Sequence, residues 1–484
     1  MAEQSLKDKT VKGVGWSALD NVSQNVISFI ISVVLARLLS PDDYGLIGII
    51  AVFTAISTVL INSGFKSALL RRESVSEVEY STAFIINVGV SVFLYILLFA
   101  CSSLIAKFFA REELVSLIRV SSLSIVIGAF ALVQQTRLTK RLDFKSQTKI
   151  TIIASVVSGF LGIMLAFGGY GVWALVTQQL IRQIITTFML TIYNKWMPKL
   201  LFSNSSFHEL FGYGWKMLVS GILDTTWREV NQVVIGRFYN AASLGQFTRA
   251  MQFSNLLSDS LTSVIQRVSF PVLSIIQSDK IKMTYVYRRI IKITMYISFF
   301  SMFLLGAVSE PFLYCLIGPQ WHEASNYLPL LCISGSIFPL HVINLNMLQV
   351  QGRSDLFLGL EFVKKAIAVA PILLGIFWGI MPMLCANIVV SIVSFFLNSY
   401  YSGRLIGYSS YMQIKDIAPY FGIATMITVP IWFLKYLPLS YWIILPLQGL
   451  IGMFFFIILS KILHIDEYSE LKEIITPYLK KIKL

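Results

Sequence analysis

Long apolar stretches alternate with short polar stretches along the whole chain. A helix that crosses a bilayer needs ~20 predominantly apolar residues. On that criterion the pattern predicts about fourteen transmembrane helices, and therefore an all-α polytopic membrane protein. The predicted segments are 14–38, 44–63, 82–106, 114–136, 148–168, 171–193, 214–237, 247–276, 286–308, 325–349, 355–379, 381–402, 414–434 and 441–462.

The chain nearly repeats itself after 200 residues. Val33–Arg37 closes the first apolar segment, and the similar Val233–Arg237 closes the seventh. Both are followed, eight residues later, by a glycine, Gly45 and Gly245. An internal repeat of this length in a membrane protein is typical of a transporter whose substrate site lies between two halves.

The repeat predicts three parts. Residues 1–200 and 201–408 should each form a six-helix lobe, and residues 409–484 add two helices and a basic tail. Six is an even number, so both lobes enter the membrane in the same direction. We therefore expect parallel repeats, related by an axis along the membrane normal. The two additional helices should lie outside the lobes, where they could form a groove for a lipid tail.

Composition and charge agree with this architecture. Hydrophobic residues make up 56% of the chain and charged residues only 13%. The net charge of +14 comes from Lys and Arg concentrated in alternate loops, which predicts that both termini are cytoplasmic and argues against nucleic acid as a partner. The four cysteines have no paired spacing, so we expect neither disulfides nor a metal site.

Polar side chains recur inside two equivalent apolar segments. In the first helix they include Asp20, Asn21, Gln24 and Asn25, which fall within one arc of the helix. The seventh helix carries a similar stripe that contains Asp224, Arg228 and Asn231. Because polar groups are costly within a bilayer, the two stripes predict that both helices line a central, water-filled cavity.

Arginine outnumbers the acidic residues within the predicted spans and predicts a mildly cationic substrate-binding cavity. A planar guanidinium suits phosphate oxygens better than an ammonium group does, so the expected cargo is anionic. Asp224 and Arg228 are four residues apart and could equally form only a structural bridge. Arg249 and Arg267 could lie close to helix ends. The candidate arginines are Arg119, Arg182, Arg228, Arg249 and Arg267.

Asp20 is the carboxylate best placed to couple transport to H+ or Na+, although a polar contact between helices is an equally good interpretation. Motifs for ATP binding, zinc-dependent hydrolysis and thiol redox chemistry are absent from the sequence. We therefore expect a protein that is not an enzyme and that needs no cofactor. Active transport would then draw on an ion gradient or on the gradient of the cargo.

Four segments resemble bacterial polysaccharide and O-antigen repeat-unit flippases. They are similar to the branch with the colanic acid flippase and the teichuronic acid exporters, within the multidrug, oligosaccharidyl-lipid and polysaccharide superfamily. The likeness covers about the first 400 residues and does not identify the sugar. The segments are Leu6–Ala18, Val34–Gly45, Ser63–Glu73 and Val268–Gln277.

The resemblance implies a V-shaped pair of lobes in the bacterial inner membrane that opens alternately to the cytoplasm and the periplasm. Its expected cargo is an undecaprenyl-diphosphate-linked oligosaccharide, with membrane lipids and a polysaccharide polymerase as partners. One alternative is an ion-coupled multidrug antiporter, which usually has twelve helices and an acidic cavity. The other is a membrane-embedded polymerase or ligase, which typically needs a large periplasmic loop.

Overall fold

A computed structural model describes residues 2–62, 65–72, 74–199 and 201–473. All regular secondary structure in these ranges is helical. The α-helices are α1 Ala2–Leu38, α2 Pro41–Asn62, α3 Phe65–Arg71, α4 Glu77–Phe109, α5 Leu114–Ser121, α6 Leu123–Lys140, α7 Phe144–Phe167, α8 Val172–Asn194, α9 Asn204–Phe238, α10 Ala241–Ile275, α11 Lys280–Ala307, α12 Ser309–Ile317, α13 His322–Val350, α14 Ser354–Ile367, α15 Val369–Trp378, α16 Ile380–Ile406, α17 Ser410–Phe433 and α18 Tyr441–Ile462.

Each of the fourteen predicted segments is helical, and two of them are interrupted. The segment 114–136 is divided between α5 and α6, where the hydroxyl of Ser122 hydrogen-bonds the carbonyl of Ile118 at 2.6 Å and competes with the helical ladder. The segment 355–379 is divided between α14 and α15 at Ala368. There Pro371 has no N–H to donate to the preceding turn.

Nine helices in the described ranges are long and apolar enough to cross a membrane, so the predicted all-α polytopic fold is confirmed. The helices that miss this threshold include α1, α8, α9 and α10, whose sequences carry many polar residues. Fourteen as the number of spans stays a prediction. The nine spans are Pro41–Ile61, Glu77–Phe109, Leu114–Lys140, Phe144–Phe167, Lys280–Ala307, Pro319–Val350, Ile380–Ile406, Ser410–Tyr436 and Tyr441–Ile462.

The chain forms two compact units, Met1–Gly245 and Gln246–Leu484. In the first unit α7 packs along α1 and α8, α6 packs against α4 and α8, and α9 packs against α2, α3 and α4. In the second unit α11 packs against α13 and α17, and α13 packs against α16. The predicted division at residues 200 and 408, and the axis that relates the two lobes, stay predictions.

The 200-residue repeat appears as two helix junctions of the same form. One helix ends at Leu38 and the next begins at Pro41, whereas 200 residues later one ends at Phe238 and the next begins at Ala241. The first junction is capped because the Ser40 hydroxyl accepts a hydrogen bond from the Asp43 N–H at 3.2 Å, and the Asp43 carboxylate accepts in return from the Ser40 N–H at 2.9 Å. At the second junction the Asn240 side-chain oxygen accepts from the Ser243 N–H at 2.7 Å. Both helices therefore begin with a side-chain cap.

The starts of α2 and α10 approach each other so closely that only glycine fits. A Cβ atom on Gly45 would overlap the carbonyl oxygen of Ala241, and a Cβ on Gly245 would overlap that of Pro41. The contacts are reciprocal, since each glycine faces the first residue of the other helix. The repeated glycines are thus explained by backbone contact within the first unit.

In the second unit a buried polar cluster joins four helices. The side-chain oxygen of Asn344 on α13 accepts hydrogen bonds from Tyr287 of α11 at 2.9 Å, from Ser402 of α16 at 2.5 Å and from Gln413 of α17 at 3.2 Å. An ion pair adds to the contact between α11 and α17, because Nη2 of Arg288 donates to Oδ1 of Asp416 at 2.6 Å. The thirteenth predicted helix, α17, is therefore packed against α11 by both polar and apolar contacts.

We predict that Gly45→Ala destabilises the protein by ~1–3 kcal/mol, because the added methyl group meets main-chain atoms that cannot move without displacing a helix. Gly89→Ala is the matched control, since a Cβ at this position on α4 meets no atom within 4 Å. Thermal unfolding of both purified variants in one detergent measures the difference. Equal stability of the two variants would contradict the close contact.

Candidate functional site

The first unit encloses a cavity of about 710 Å³ whose lining is half polar. Part of the lining comes from α8, where Gln179, Arg182, Gln183 and Thr186 follow the i, i+3, i+4, i+7 spacing of one helix face. On α9, Thr225, Arg228 and Glu229 face the same cavity, and α2, α6 and α7 contribute the remaining lining residues. Two of the five predicted arginines, Arg182 and Arg228, therefore share one cavity.

A chain of hydrogen bonds connects Arg182 to Asp20. The Arg182 guanidinium donates through Nη2 to Gln24 Oε1 at 2.9 Å. Gln24 Nε2 donates to Asp20 Oδ1 at 3.2 Å, and the hydroxyl of Thr151 donates to the same oxygen at 2.7 Å. Thr151 and Arg182 both line the cavity. The carboxylate and the guanidinium therefore interact through one neutral amide instead of forming a direct ion pair.

Arg228 forms the predicted pair with Asp224, with Nη2 of Arg228 3.0 Å from Oδ2 of Asp224. Their side chains are 73% and 59% exposed. An exposed ion pair contributes little to stability, so a ligand could compete with Asp224 at small cost. Glu229, beside Arg228 in the cavity wall, accepts a hydrogen bond from Gln232.

Arg119 lies elsewhere in the first unit and contacts α4. Its Nε donates to the hydroxyl of Ser102 at 3.0 Å, and its guanidinium lies 4.3 Å from the centre of the Phe99 ring. These contacts favour a structural role, because hydrogen bonding and a cation–π contact stabilise the packing of α5 on α4.

Arg249 and Arg267 belong to the second unit. Arg249 is buried, bonded to Gln252 and placed 5.8 Å from the centre of the Trp321 ring, whereas Arg267 is exposed on α10. A substrate-binding role for Arg119, Arg249 or Arg267 stays a prediction.

The predicted polar lining is only partly placed on the cavity. Gln24 is joined to it through Arg182, and Asp224 through Arg228. Asn25 is exposed on α1, and Asn231 is half-buried on α9. The side chain of Asn21 lies outside the described residues.

Several residues of this site are not among the predicted ones. Gln179, Gln183 and Thr186 lie on the same face of α8 as the predicted Arg182, and their helical spacing is visible in the sequence. Thr151 gave no such signal. Its role depends on the packing of α7 against α1, which no local pattern in the sequence reveals.

Two apolar cavities lie beside α17 in the second unit. One, of about 330 Å³, is lined by α11, α13 and α17 and includes Phe303, Pro329 and Phe421. The other, of about 450 Å³, lies between α17 and α18 and includes Pro430, Ile451 and Phe455. Their linings are almost wholly apolar, as a hydrocarbon chain would require.

Comparison with known proteins agrees with this description. A family model described as "Polysaccharide biosynthesis protein" matches residues 34–326. The chain belongs to this family.

Two relatives align with this chain over about three quarters of their length. The teichuronic acid biosynthesis protein TuaB of Bacillus subtilis is 26% identical over 73% of each chain. The lipopolysaccharide biosynthesis protein WzxC of Escherichia coli is 24% identical over 77% of this chain and 76% of its own.

Two solved structures have the same fold. The lipid II flippase MurJ in an inward closed conformation superposes with a TM-score of 0.73 at 17% identity, covering 94% of this chain and 99% of its own. An inward-facing multidrug transporter of the MATE family gives a TM-score of 0.59 at 16% identity, covering 80% and 96%. At these identities the likeness concerns the fold.

We predict that the arginines of the first unit separate into structural and cavity residues. Arg119→Gln should lower stability by ~1–2 kcal/mol, because it loses the Ser102 hydrogen bond and the contact with Phe99. Arg228→Gln should change stability by less than ~0.5 kcal/mol, because its pair with Asp224 is exposed. Thermal unfolding in one detergent measures both. If Arg228→Gln lowered stability more than Arg119→Gln, the packing role of Arg119 would be contradicted.

Proposed function

We propose that this protein is a flippase that moves an undecaprenyl-diphosphate-linked oligosaccharide repeat unit from the cytoplasmic to the outer leaflet by alternating access. The observation that carries the proposal is the half-polar cavity lined by Arg182 and Arg228, in a membrane protein of the polysaccharide biosynthesis family. Guanidinium groups bind the diphosphate, and the Gln and Thr side chains of the wall hydrogen-bond the sugar.

The apolar cavities beside α17 support a complementary role for the last two helices. A polyprenyl tail attached to the diphosphate would expose apolar surface to water and polar groups if it entered a polar cavity, which is unfavourable. It therefore stays in an apolar environment. The cavities lined by Phe421 and Phe455 provide such an environment within the second unit. In this proposal α17 and α18 provide apolar contacts for the tail.

The proposed location is the bacterial inner membrane, with both termini cytoplasmic and a polysaccharide polymerase as a functional partner. We place the protein among transporters and not among enzymes. TuaB and WzxC, named for teichuronic acid and lipopolysaccharide biosynthesis, support a role in exporting a polysaccharide precursor. Proton or sodium coupling through Asp20 forms part of the proposal.

An ion-coupled multidrug antiporter is the second candidate. The carboxylates at the cavity favour it, because Asp20, Asp224 and Glu229 could attract a cationic drug. A strain that lacks the protein distinguishes the two functions. Loss of surface polysaccharide with accumulation of its lipid-linked precursor supports a flippase, whereas intact polysaccharide with raised sensitivity to cationic drugs supports an antiporter.

We predict that Arg228→Ala reduces export about ten- to a hundredfold, because it removes charge-assisted hydrogen bonds worth ~1.5–3 kcal/mol. Arg228→Lys should retain part of the activity, since it keeps the charge but loses the bidentate geometry. The measurement is the amount of lipid-linked sugar on the cytoplasmic face of cells with matched protein levels.

Arg237→Ala is the control for this prediction. Arg237 is exposed at the end of the same helix, where its guanidinium lies 5.1 Å from the centre of the Phe108 ring, and it is absent from the cavity lining. It should export normally. Normal export by the Arg228→Ala protein would show that Arg228 is only structural.

A further inference from the structure

The charges around the cavity of the first unit do not by themselves favour an anion. Arg182 and Arg228, with Lys66 bonded to the lining residue Gln135 at 3.4 Å, are accompanied by the carboxylates of Asp20, Asp224 and Glu229. A diphosphate that approaches both arginines therefore also approaches three carboxylates. Because like charges repel, and repel more strongly as water leaves the cavity, binding is favoured when a carboxylate loses charge as the phosphate arrives.

The hydrogen-bond chain identifies which carboxylate can change charge with the anion. Among the described side chains, Asp20 is connected to Arg182 through Gln24, whose carbonyl accepts from Arg182 and whose amide nitrogen donates to Asp20. A phosphate that takes over Arg182 removes the donor from the Gln24 carbonyl. The amide can then regain full hydrogen bonding by rotating, so that its carbonyl faces Asp20 and its NH₂ group faces the phosphate.

After this rotation the carbonyl oxygen of Gln24 faces Asp20 and needs a hydrogen-bond donor. A carboxylate has no proton to donate, whereas a carboxylic acid has one. We propose that Asp20 takes up a proton when the cargo phosphate binds at Arg182, and that Gln24 links the two events. The proton arrives as hydronium from the bulk solution, bonds to an Asp20 oxygen and leaves a water molecule behind, and the protonated oxygen then donates to Gln24 Oε1. This inference rests on the proposed function, and it makes the proton and the phosphate bind together instead of in exchange.

Few other charged groups of the described residues can perform this role. The helix packed along α1 is α7, where Lys149 is exposed and the Lys145 ammonium lies 5.7 Å from the centre of the Trp16 ring. Asp224 is bonded directly to Arg228, without an intervening amide, and Glu229 accepts from Gln232, whereas Arg182 donates to Gln24. Thr151 keeps its hydrogen bond to Asp20 in either state, because a protonated carboxyl group retains an acceptor oxygen.

The test measures the affinity of the purified full-length protein for geranyl diphosphate as a function of pH. If one proton binds with the anion, the Kd of the wild type rises with pH, by up to about tenfold per pH unit over the range in which binding takes up that proton. Asp20→Asn mimics the protonated state, so it should bind at least as tightly as the wild type at high pH. In this variant the Kd should keep only the pH dependence that comes from ionisation of geranyl diphosphate itself.

Gln24→Leu cuts the connection while leaving both charged residues in place, and it should lose most of the pH dependence of the Kd. Gln147→Leu is the matched control. This glutamine on α7 hydrogen-bonds Thr139 at 3.3 Å and should keep the wild-type dependence. Calorimetry in buffers of different ionisation enthalpy gives a second readout, the number of protons taken up per bound diphosphate. This number should be lower by about one in Asp20→Asn than in the wild type.

The outcomes separate the two proposals. If Asp20→Asn or Gln24→Leu keeps the full pH dependence of the wild type, the linkage is overturned while the flippase proposal stands. If the wild type does not bind geranyl diphosphate at any pH, the diphosphate cargo is excluded and the linkage is overturned with it.

Discussion

Charged groups inside an apolar helix must be paired or hydrated, and this requirement determines how the polar helices of the first unit pack. The Asp20 carboxylate has two hydrogen-bond donors, from Thr151 of α7 and from Gln24 one turn further along α1. Arg182 of α8 completes the chain. Three helices are thereby fixed relative to one another by side chains that would each destabilise an isolated membrane span. Of these side chains, Thr151 and Arg182 line the cavity, and Asp20 and Gln24 are connected to it through them.

The same requirement explains how much of the architecture was predictable. In the segments that carry Asp20 and Arg228, the polar residues recur at a helical spacing. The sequence therefore indicates both the helix and its polar face. Glycine at 45 and 245 likewise indicated a repeat before any contact was known. Both signals are local, because they depend on spacing along one segment.

Contacts between helices were not predictable, since nothing in one segment records its neighbour. Arg119 and Arg182 looked equivalent, as single arginines in predicted spans. The first packs on Phe99 and the second lines a cavity, and the difference arises only from what α4 and α1 place beside them. Likewise, Thr151 became a site residue only because α7 packs along α1. Composition could therefore predict a cavity but could not say which arginines line it.

The exposure of the Arg228–Asp224 pair bears on how a cargo could drive a change of state. In an open, hydrated cavity the pair interacts weakly, since water screens both charges. Any movement that removes water strengthens every charge interaction in the cavity, favourable or not. Repulsion among the carboxylates of Asp20, Asp224 and Glu229 then opposes loss of water from an empty cavity, and an added anion alone would oppose it further. In the proposed linkage, a phosphate accompanied by a proton brings the arginines an additional partner while neutralising one carboxylate. On that proposal the loaded cavity tolerates loss of water better than the empty one, which is the difference in affinity between states that a ligand-driven transition requires.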